Sequence, residues 1–310
     1  MNHYRSFDHI HLSNAWATIG VFDGVHRGHQ AILSSMVEQA HAAGAPAVVV
    51  TFSPHPVAVL RNIDEPMCLT TPSERADELG RLGIDAVITL KFDHALAELT
   101  AEGFMEQMSE HLSVRQLWVG SDFALGRGRQ GDIPTLRQIG ERLGYNLHVI
   151  NDVLDGSVRI SSSLIRQLLR EGKVSEAAEQ LGRPYALAGE VIHGQGRGRQ
   201  LGYPTANIAY SSKKILPRYG VYATWAWIGG TRRLPAVTSV GVRPTFDQPN
   251  PQPTVEPHLI DFDEDIYGQS LRVEFLKFLR TEQRFDSVQD LIDQMNTDTK
   301  HAREVLSHAV

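Results

Sequence analysis

The sequence predicts two domains of different class: a Rossmann-like α/β domain, then an antiparallel β-barrel with a terminal helix. Three observations carry this expectation. The chain has 310 residues, long for one average domain and ample for two. The first half alternates short apolar runs with amphipathic stretches of helical spacing, the pattern of a parallel sheet covered by helices. After Gly182-Arg183-Pro184-Tyr185 the apolar runs alternate with period two and follow one another with little helix between them.

In chain order, the first half offers strands at Ala15–Val21, Ala47–Phe52, Ala86–Lys91, Gln116–Val119 and Leu147–Ile150. Helical patterns cover Gln30–Ala43, Pro72–Leu82 and Thr135–Leu143, with Ser162–Arg170 and Val174–Leu181 closing the half. The start Thr71-Pro72-Ser73-Glu74 has a threonine cap, a proline in the first turn and a glutamate three residues after the cap. The second half offers strands at Ala188–His193, Val221–Ile228, Leu234–Val240, Val255–Asp261 and Leu271–Phe278, with Gly229-Gly230 as a hairpin turn. The tail Val288–Leu306 reads as a helix. The expected boundary gives domains 1–183 and 184–310.

Composition excludes several classes. With 42% hydrophobic and 21% charged residues, the chain is globular rather than disordered. A net charge of −6 gives no global attraction to nucleic acid or to an anionic membrane, so phosphate must be held by local groups. There is no run of 18 apolar residues, and the polar start Met1–Ser6 does not resemble a secretory signal. Cys68 is the sole cysteine, which excludes an internal disulfide and a Cys-based zinc site; a cytoplasmic address is expected.

The first candidate site is the turn Gly20-Val21-Phe22-Asp23-Gly24-Val25-His26-Arg27-Gly28-His29, which leads from a strand into a helix. Its glycines admit a ligand close to the backbone, and the helix start offers N–H groups to phosphate. His26 and His29, three apart, share a face and can donate hydrogen bonds to a phosphate in the transition state. No Lys-Ser/Thr follows, so this is not a kinase P-loop. Two plainer readings remain open: a metal half-site completed by His55, or surface histidines without a role.

The run Gly20–His29 resembles the Gly-x-Phe-Asp-Gly-x-His-x-Gly-His signature of nucleotidyltransferases, and looks most like the FMN adenylyltransferase module of bacterial bifunctional FAD synthetases. Three further segments are similar to that family: Thr51-Phe52-Ser53-Pro54-His55-Pro56; Gly120-Ser121-Asp122-Phe123 with Gly126-Arg127-Gly128; and Arg159-Ile160-Ser161-Ser162-Ser163 with Arg166. Asp122 stands where some members carry Asn, and Ser163 where Thr is usual, which keeps the hydroxyl. The resemblance implies catalytic His26 and His29, and nucleotide binding by Gly20, Phe22, Asp23, Gly24, Gly28, Arg159, Ser162, Ser163 and Arg166. It implies flavin contacts from Phe52, Pro54, His55, Pro56, Asp122 and Phe123. A competing signal is Gly126-Arg127-Gly128-Arg129-Gln130-Gly131, which matches the dinucleotide fingerprint, with Asp152 about twenty residues on; Ile133-Pro134 before the helix weakens that reading.

The second candidate site is His193-Gly194-Gln195-Gly196-Arg197-Gly198-Arg199-Gln200-Leu201-Gly202-Tyr203-Pro204-Thr205-Ala206-Asn207. Its glycines suit a loop around a polyphosphate, although Gly194–Arg199 alone also fits a solvated basic loop. Pro204-Thr205-Ala206-Asn207 resembles the signature of riboflavin kinases, and Gly220-Val221-Tyr222-Ala223, Gly241–Phe246, Thr254-Val255-Glu256, Asp265–Gly268 and Phe278-Leu279-Arg280 follow in that family's order. The resemblance implies phosphate contacts from Gly194, Gly196, Arg197, Gly198, Gly202, Pro204, Thr205 and Asn207, Mg²⁺ held by Thr205 and Asn207, and Glu256 as catalytic base. From sequence alone, Glu256 is an acidic residue at a strand edge; Pro257 after it predicts an edge strand or bulge.

The implied function is two ATP-dependent steps, riboflavin to FMN and FMN to FAD, with Mg²⁺ as cofactor. Partners are then small molecules (riboflavin, FMN and ATP), with room for self-association and without nucleic acid or membrane. The alternatives are a chain with only one active module, a different nucleotidyltransferase, and a flavin-binding protein without turnover.

Overall fold

The computed structural model describes residues 1–150, 154–155, 158–194, 202–242 and 253–308. It divides into two compact units, Met1–Ser162 and Ser163–Val310. The expected division at 183/184 falls later, because the helices α7 (Ser162–Glu171) and α8 (Val174–Leu181) pack largely with the second unit. Within that unit Ser175 Oγ donates to the Leu276 carbonyl at 2.7 Å, and Arg218 N–H donates to the Leu169 carbonyl at 2.8 Å.

The first unit is a parallel sheet with helices on both faces. Its elements run β1 (Asn2–Tyr4), β2 (Trp16–Ile19), α1 (Arg27–Ala42), β3 (Ala47–Ser53), α2 (Pro56–Leu60), α3 (Pro72–Arg81), β4 (Ala86–Lys91), α4 (His94–Ala97), α5 (Ala101–Leu112), β5 (Gln116–Gly120), α6 (Ile133–Leu143) and β6 (Asn146–Ile150). A short antiparallel pair, β7 (Leu154–Asp155) and β8 (Val158–Arg159), follows. Strand order is β1-β4-β3-β2-β5-β6, all parallel. Successive residues of β3 show why such strands are apolar without a break: Val48 and Val50 face α5 and α6, while Val49 faces α1 and α3. All five strands expected here are present, and β1, α2, α4 and α5 add to them.

Local signals fix the helix ends. Thr71 caps α3 in a complete capping box: its hydroxyl accepts from Glu74 N–H, and Glu74 accepts from Thr71 N–H. Asp132 caps α6 through Thr135 N–H, and Gly144 ends it at φ +80°.

The second unit is a nearly closed barrel of six antiparallel strands: β9 (Tyr185–Ile192), β10 (Asn207–Tyr210), β11 (Gly220–Ile228), β12 (Arg232–Gly241), β13 (Thr254–Leu259) and β14 (Ser270–Arg280), followed by α9 (Val288–Ser307). The order is β10-β9-β14-β11-β12-β13. Gly229 and Gly230, both at positive φ, make the β11–β12 turn as expected. The edges approach each other where Ala206 N–H donates to the Pro257 carbonyl at 2.9 Å. β13 is thus an edge strand, as Pro257 requires. Tyr222 packs edge-on against Phe275 in the interior, and Thr224 and Thr238 share a buried 2.7 Å hydrogen bond. Next to Tyr222, Ala223 turns outward under Ala302 and Leu306 of α9. β11 is therefore buried on both faces. Arg280 grips Asp298 of α9 with contacts of 2.7–3.0 Å.

Removing the α3 cap with Thr71→Ala is expected to cost the first unit about 1 kcal/mol. The check is the urea midpoint of that unit's transition.

Candidate active sites

In the parallel sheet the chain leaves β2 toward β3 on one side and returns as β5 on the other, so the crevice at their carboxyl ends is a topological switch point. The turn after β2 lies there. Phe22, Gly24 and Val25 have φ of +49°, +82° and +42°. For a β-branched residue such as Val25 this conformation is strained, and something must hold it. The holder is Asp23. Its buried carboxylate accepts from Leu69 N–H at 2.9 Å and Thr70 N–H at 3.0 Å, while Thr70 Oγ1 accepts from Gly24 N–H at 3.0 Å. Asp23, expected among the nucleotide contacts, thus turns its carboxylate inward and shapes the turn.

His26 is the N-cap of α1; its Nδ1 accepts from His29 N–H at 3.3 Å. The two rings stack at 3.5 Å between centroids, and Phe22 meets His29 edge-on at 5.1 Å. A Cβ on Gly28 would press on the His26 ring at 3.2 Å, so the small residue keeps the pair close. Burial, then the neighbouring His26 and the charge of Arg75, hold the His29 pKa well below the usual 6.5. His29 Nδ1 has no hydrogen-bond partner although the atom is buried. A neutral imidazole at a helix start, with an unused ring nitrogen, is equipped to meet a phosphate oxygen.

The other expected contacts of this unit surround the same sheet end. Thr51 donates to the Val21 carbonyl at 2.8 Å, and Phe52 packs on Phe92 and Phe104. Pro54 and Pro56 flank His55, which caps α2 by accepting from Val57 N–H at 3.1 Å. Asp122 pairs with Arg159 at 2.8 Å, which lowers its pKa, and Arg129 donates to the Asp122 carbonyl. Phe123 packs against the core beneath. Ser162 Oγ donates to the Asp23 carbonyl at 2.8 Å. Ser163 is exposed and Arg166 buried, both counted with the second unit.

Two competing readings lose ground. Among the described residues no group of three or more His, Cys, Asp or Glu could hold a metal, so His26, His29 and His55 do not form one. The Gly126–Gly131 segment folds back through a Leu125–Gly131 bridge and is tied to Leu99 by Arg127 N–H at 2.8 Å. The start of α6 beyond it is occupied by the Asp132 carboxylate rather than left open for a pyrophosphate. Asp152 lies outside the described residues.

In the barrel, Pro204–Asn207 runs along the edge of β13. His258 Nδ1–H donates to the Pro204 carbonyl at 2.9 Å beside the Ala206–Pro257 bond. Thr205 helps line a cavity of about 360 Å³ with Asp265, Ile266 and Tyr267. The Asn207 amide lies over Gly194, where a Cβ would come within 2.2 Å of it. Gly202 takes φ +81°. Gly196, Arg197, Gly198 and Arg243–Phe246 lie outside the described residues. Glu256 is half-buried on β13 opposite Ser239, and Thr254 Oγ1 donates to its Oε1 at 2.7 Å. Glu282, absent from the sequence-based candidates, has its pKa raised by burial and by the charge of Glu256. Arg75 and Thr70 are likewise absent from them.

The family model described as FAD synthetase matches residues 8–164, and that described as riboflavin kinase matches 181–306. The Escherichia coli (strain K12) bifunctional riboflavin kinase/FMN adenylyltransferase is 38% identical over 93% of this chain and 91% of its own. Those of Pseudomonas fluorescens and Bacillus subtilis are 40% and 34% identical, each with more than nine-tenths of both chains covered. A crystal structure described as a macrolide-efflux protein from Streptococcus pneumoniae superposes with a TM-score of 0.86 at 31% identity, covering 97% of this chain and 98% of that one. Among the described residues no helix is long and apolar enough to cross a membrane. With both halves matched in order and its relatives covered almost end to end, the chain belongs to the bifunctional riboflavin kinase/FMN adenylyltransferase family.

Proposed function

We propose that the family's two activities are divided between the halves: FMN adenylyltransferase in residues 1–183, and riboflavin kinase in 184–310. The observation that carries this is the stacked His26–His29 pair at the start of α1 in the switch-point crevice, with the His29 pKa held well below 6.5. The FMN phosphate is already anionic and needs no covalent help from the protein. One of its oxygens forms a bond to the α-phosphorus of ATP, the bond from that phosphorus to the bridging oxygen breaks, and pyrophosphate leaves with the electron pair. The protein's task is alignment and charge stabilisation. His26 and His29 supply ring N–H groups, and Gly20, Phe22, Gly24 and Gly28 shape the backbone around the polyphosphate. Arg159, Ser162, Ser163 and Arg166 are assigned to nucleotide phosphates, and Phe52, Pro54, His55, Pro56, Asp122 and Phe123 to the flavin.

In the kinase reaction the riboflavin 5′-hydroxyl oxygen attacks the γ-phosphorus, its proton passes to Glu256, and ADP departs. Thr254, by donating to Glu256 Oε1, helps to orient that carboxylate. Thr205, Asn207 and the Gly194–Gly202 segment hold the nucleotide. The Thr205 hydroxyl and the Asn207 amide oxygen are hard donors suited to Mg²⁺, and so small a protein ligand set fits an ion completed by phosphate oxygens and water. When bound, that ion neutralises charge on the phosphates. We place the work in the cytoplasm, with small molecules rather than nucleic acid as partners; the net charge of −6 and the single Cys68 support this.

The direct test is incubation with riboflavin, ATP and Mg²⁺ and separation of the flavins over time. FMN should appear and then give way to FAD; FMN alone would remove the first-unit assignment. Glu256→Gln is expected to lower riboflavin phosphorylation at least ~100-fold while FMN adenylylation persists. Equal loss of both activities would refute the division. His29→Ala should do the reverse. By NMR the His29 ring should remain neutral as pH falls through 6.5 and protonate only well below it. Since the folded pKa lies below the unfolded value, that group's contribution to stability is complete above 6.5 and declines below it.

A further inference from the structure

Arg75 belongs to none of the recognised motifs, yet its guanidinium touches two of them. It sits on the first turn of α3, its side chain only 3% exposed. Nη1 donates to Thr51 Oγ1 at 3.0 Å and to the Phe52 carbonyl at 3.1 Å, both in the segment assigned to the flavin. Nη2 reaches the Thr70 carbonyl at 3.4 Å and stands 3.6 Å from the Asp23 carboxylate. Thr51 passes the constraint on by donating to the Val21 carbonyl, and Asp23 by gripping Leu69 and Thr70. One planar cation thereby sets the spacing of the Gly20–His29 turn, the end of β3 and the Leu69–Thr71 segment. The fork geometry matters, because it puts one nitrogen on Thr51 and Phe52 and another toward Thr70 and Asp23, where a lysine would bring a single nitrogen.

We propose that Arg75 is a positioning residue for FMN adenylylation, setting the separation between the histidine pair and the segment that receives the flavin. This rests on the assignment of that reaction to the first unit. Arg75 touches neither substrate; it acts through Asp23, Thr51 and Phe52. Its charge also bears on His29, which it helps to keep neutral. The titratable and charged groups that act on His29 are His26 at the start of α1 and Arg75 from α3, the latter 3.6 Å from the Asp23 carboxylate; Arg27, beside His26 in sequence, is exposed.

The test uses Arg75→Lys and Arg75→Gln in the full chain, with riboflavin phosphorylation in the same sample as the internal standard. Arg75→Gln is expected to lower kcat for FMN adenylylation by roughly 100-fold, the scale of a misplacement near 1 Å, with KM for ATP changing far less. Its pH–rate profile should have the acidic limb moved to higher pH, since losing the cation makes His29 easier to protonate. Arg75→Lys, which keeps the charge and loses the fork, should lower kcat while leaving the limb in place. Near-UV circular dichroism of each variant, with riboflavin phosphorylation reporting on the second unit, gives the folded fraction. Wild-type kcat in Arg75→Gln overturns the proposal. So does a loss equal to the unfolded fraction with an unmoved limb. Loss of adenylylation in Arg75→Gln but not in His29→Ala would instead strike at the site assignment itself.

Discussion

The adjacency of β2 and β5 in an all-parallel sheet is the constraint on which the first unit depends. From β2 the chain moves to one side through β3 and β4, then returns to the other through β5 and β6. Two neighbouring strands whose connections diverge leave a crevice that no crossover helix covers. The turn after β2 and the loop after β5 flank that crevice, so residues about a hundred positions apart become neighbours. The helix dipole of α1 opens there, with the His26 and His29 imidazoles at its first turn and no lysine of the kind a P-loop carries.

A crevice made by topology still needs its rim held in a strained shape. Three residues of the Phe22–Val25 turn adopt positive φ, two of them without the freedom of glycine. The compensation is the buried Asp23 carboxylate, paired at 3.6 Å with Arg75 and saturated by backbone donors. An isolated carboxylate at 1% exposure would be strongly unfavourable; a paired and hydrogen-bonded one is not. The polar network holds the turn that leads to His26, and so connects core electrostatics to the switch-point end of the sheet.

Much of this was legible in the sequence. The runs Ala47–Phe52 and Ala86–Lys91 are apolar because parallel strands are buried on both faces, and β3 and β4 lie there. Thr71-Pro72-Ser73-Glu74 and Gly229-Gly230 encode their local geometry in side chains a few positions apart, and both form as expected. What local pattern cannot carry is long-range. β1 and β10 have three and four residues, too few for periodicity, and exist through their partners β4 and β9. α5 is a different case: Phe104, Met105, Met108 and Leu112 form an apolar stripe that could have revealed it. The inward turn of Asp23 was hidden, because a motif fixes residue type and not side-chain direction. Arg75 was hidden for the same reason: on a charged helix it reads as a solvated cation until the fold buries it. Glu256 stood out through its motif, whereas its neighbour Glu282 became visible only when the barrel brought the two carboxylates close.

The barrel's line of closure has a mechanical meaning. Its two edges meet where Ala206 N–H reaches the Pro257 carbonyl, with a histidine side chain bridging beside it. Proline has no N–H to return, so the join is one-sided at that point, while β11 is laced to β12 along nine residue pairs and to β14 along eight. The Pro204–Asn207 segment is therefore the zip of the cylinder. Widening there would sacrifice few bonds and leave the β11–β12 and β11–β14 ladders untouched, so the wall is weakest along this line.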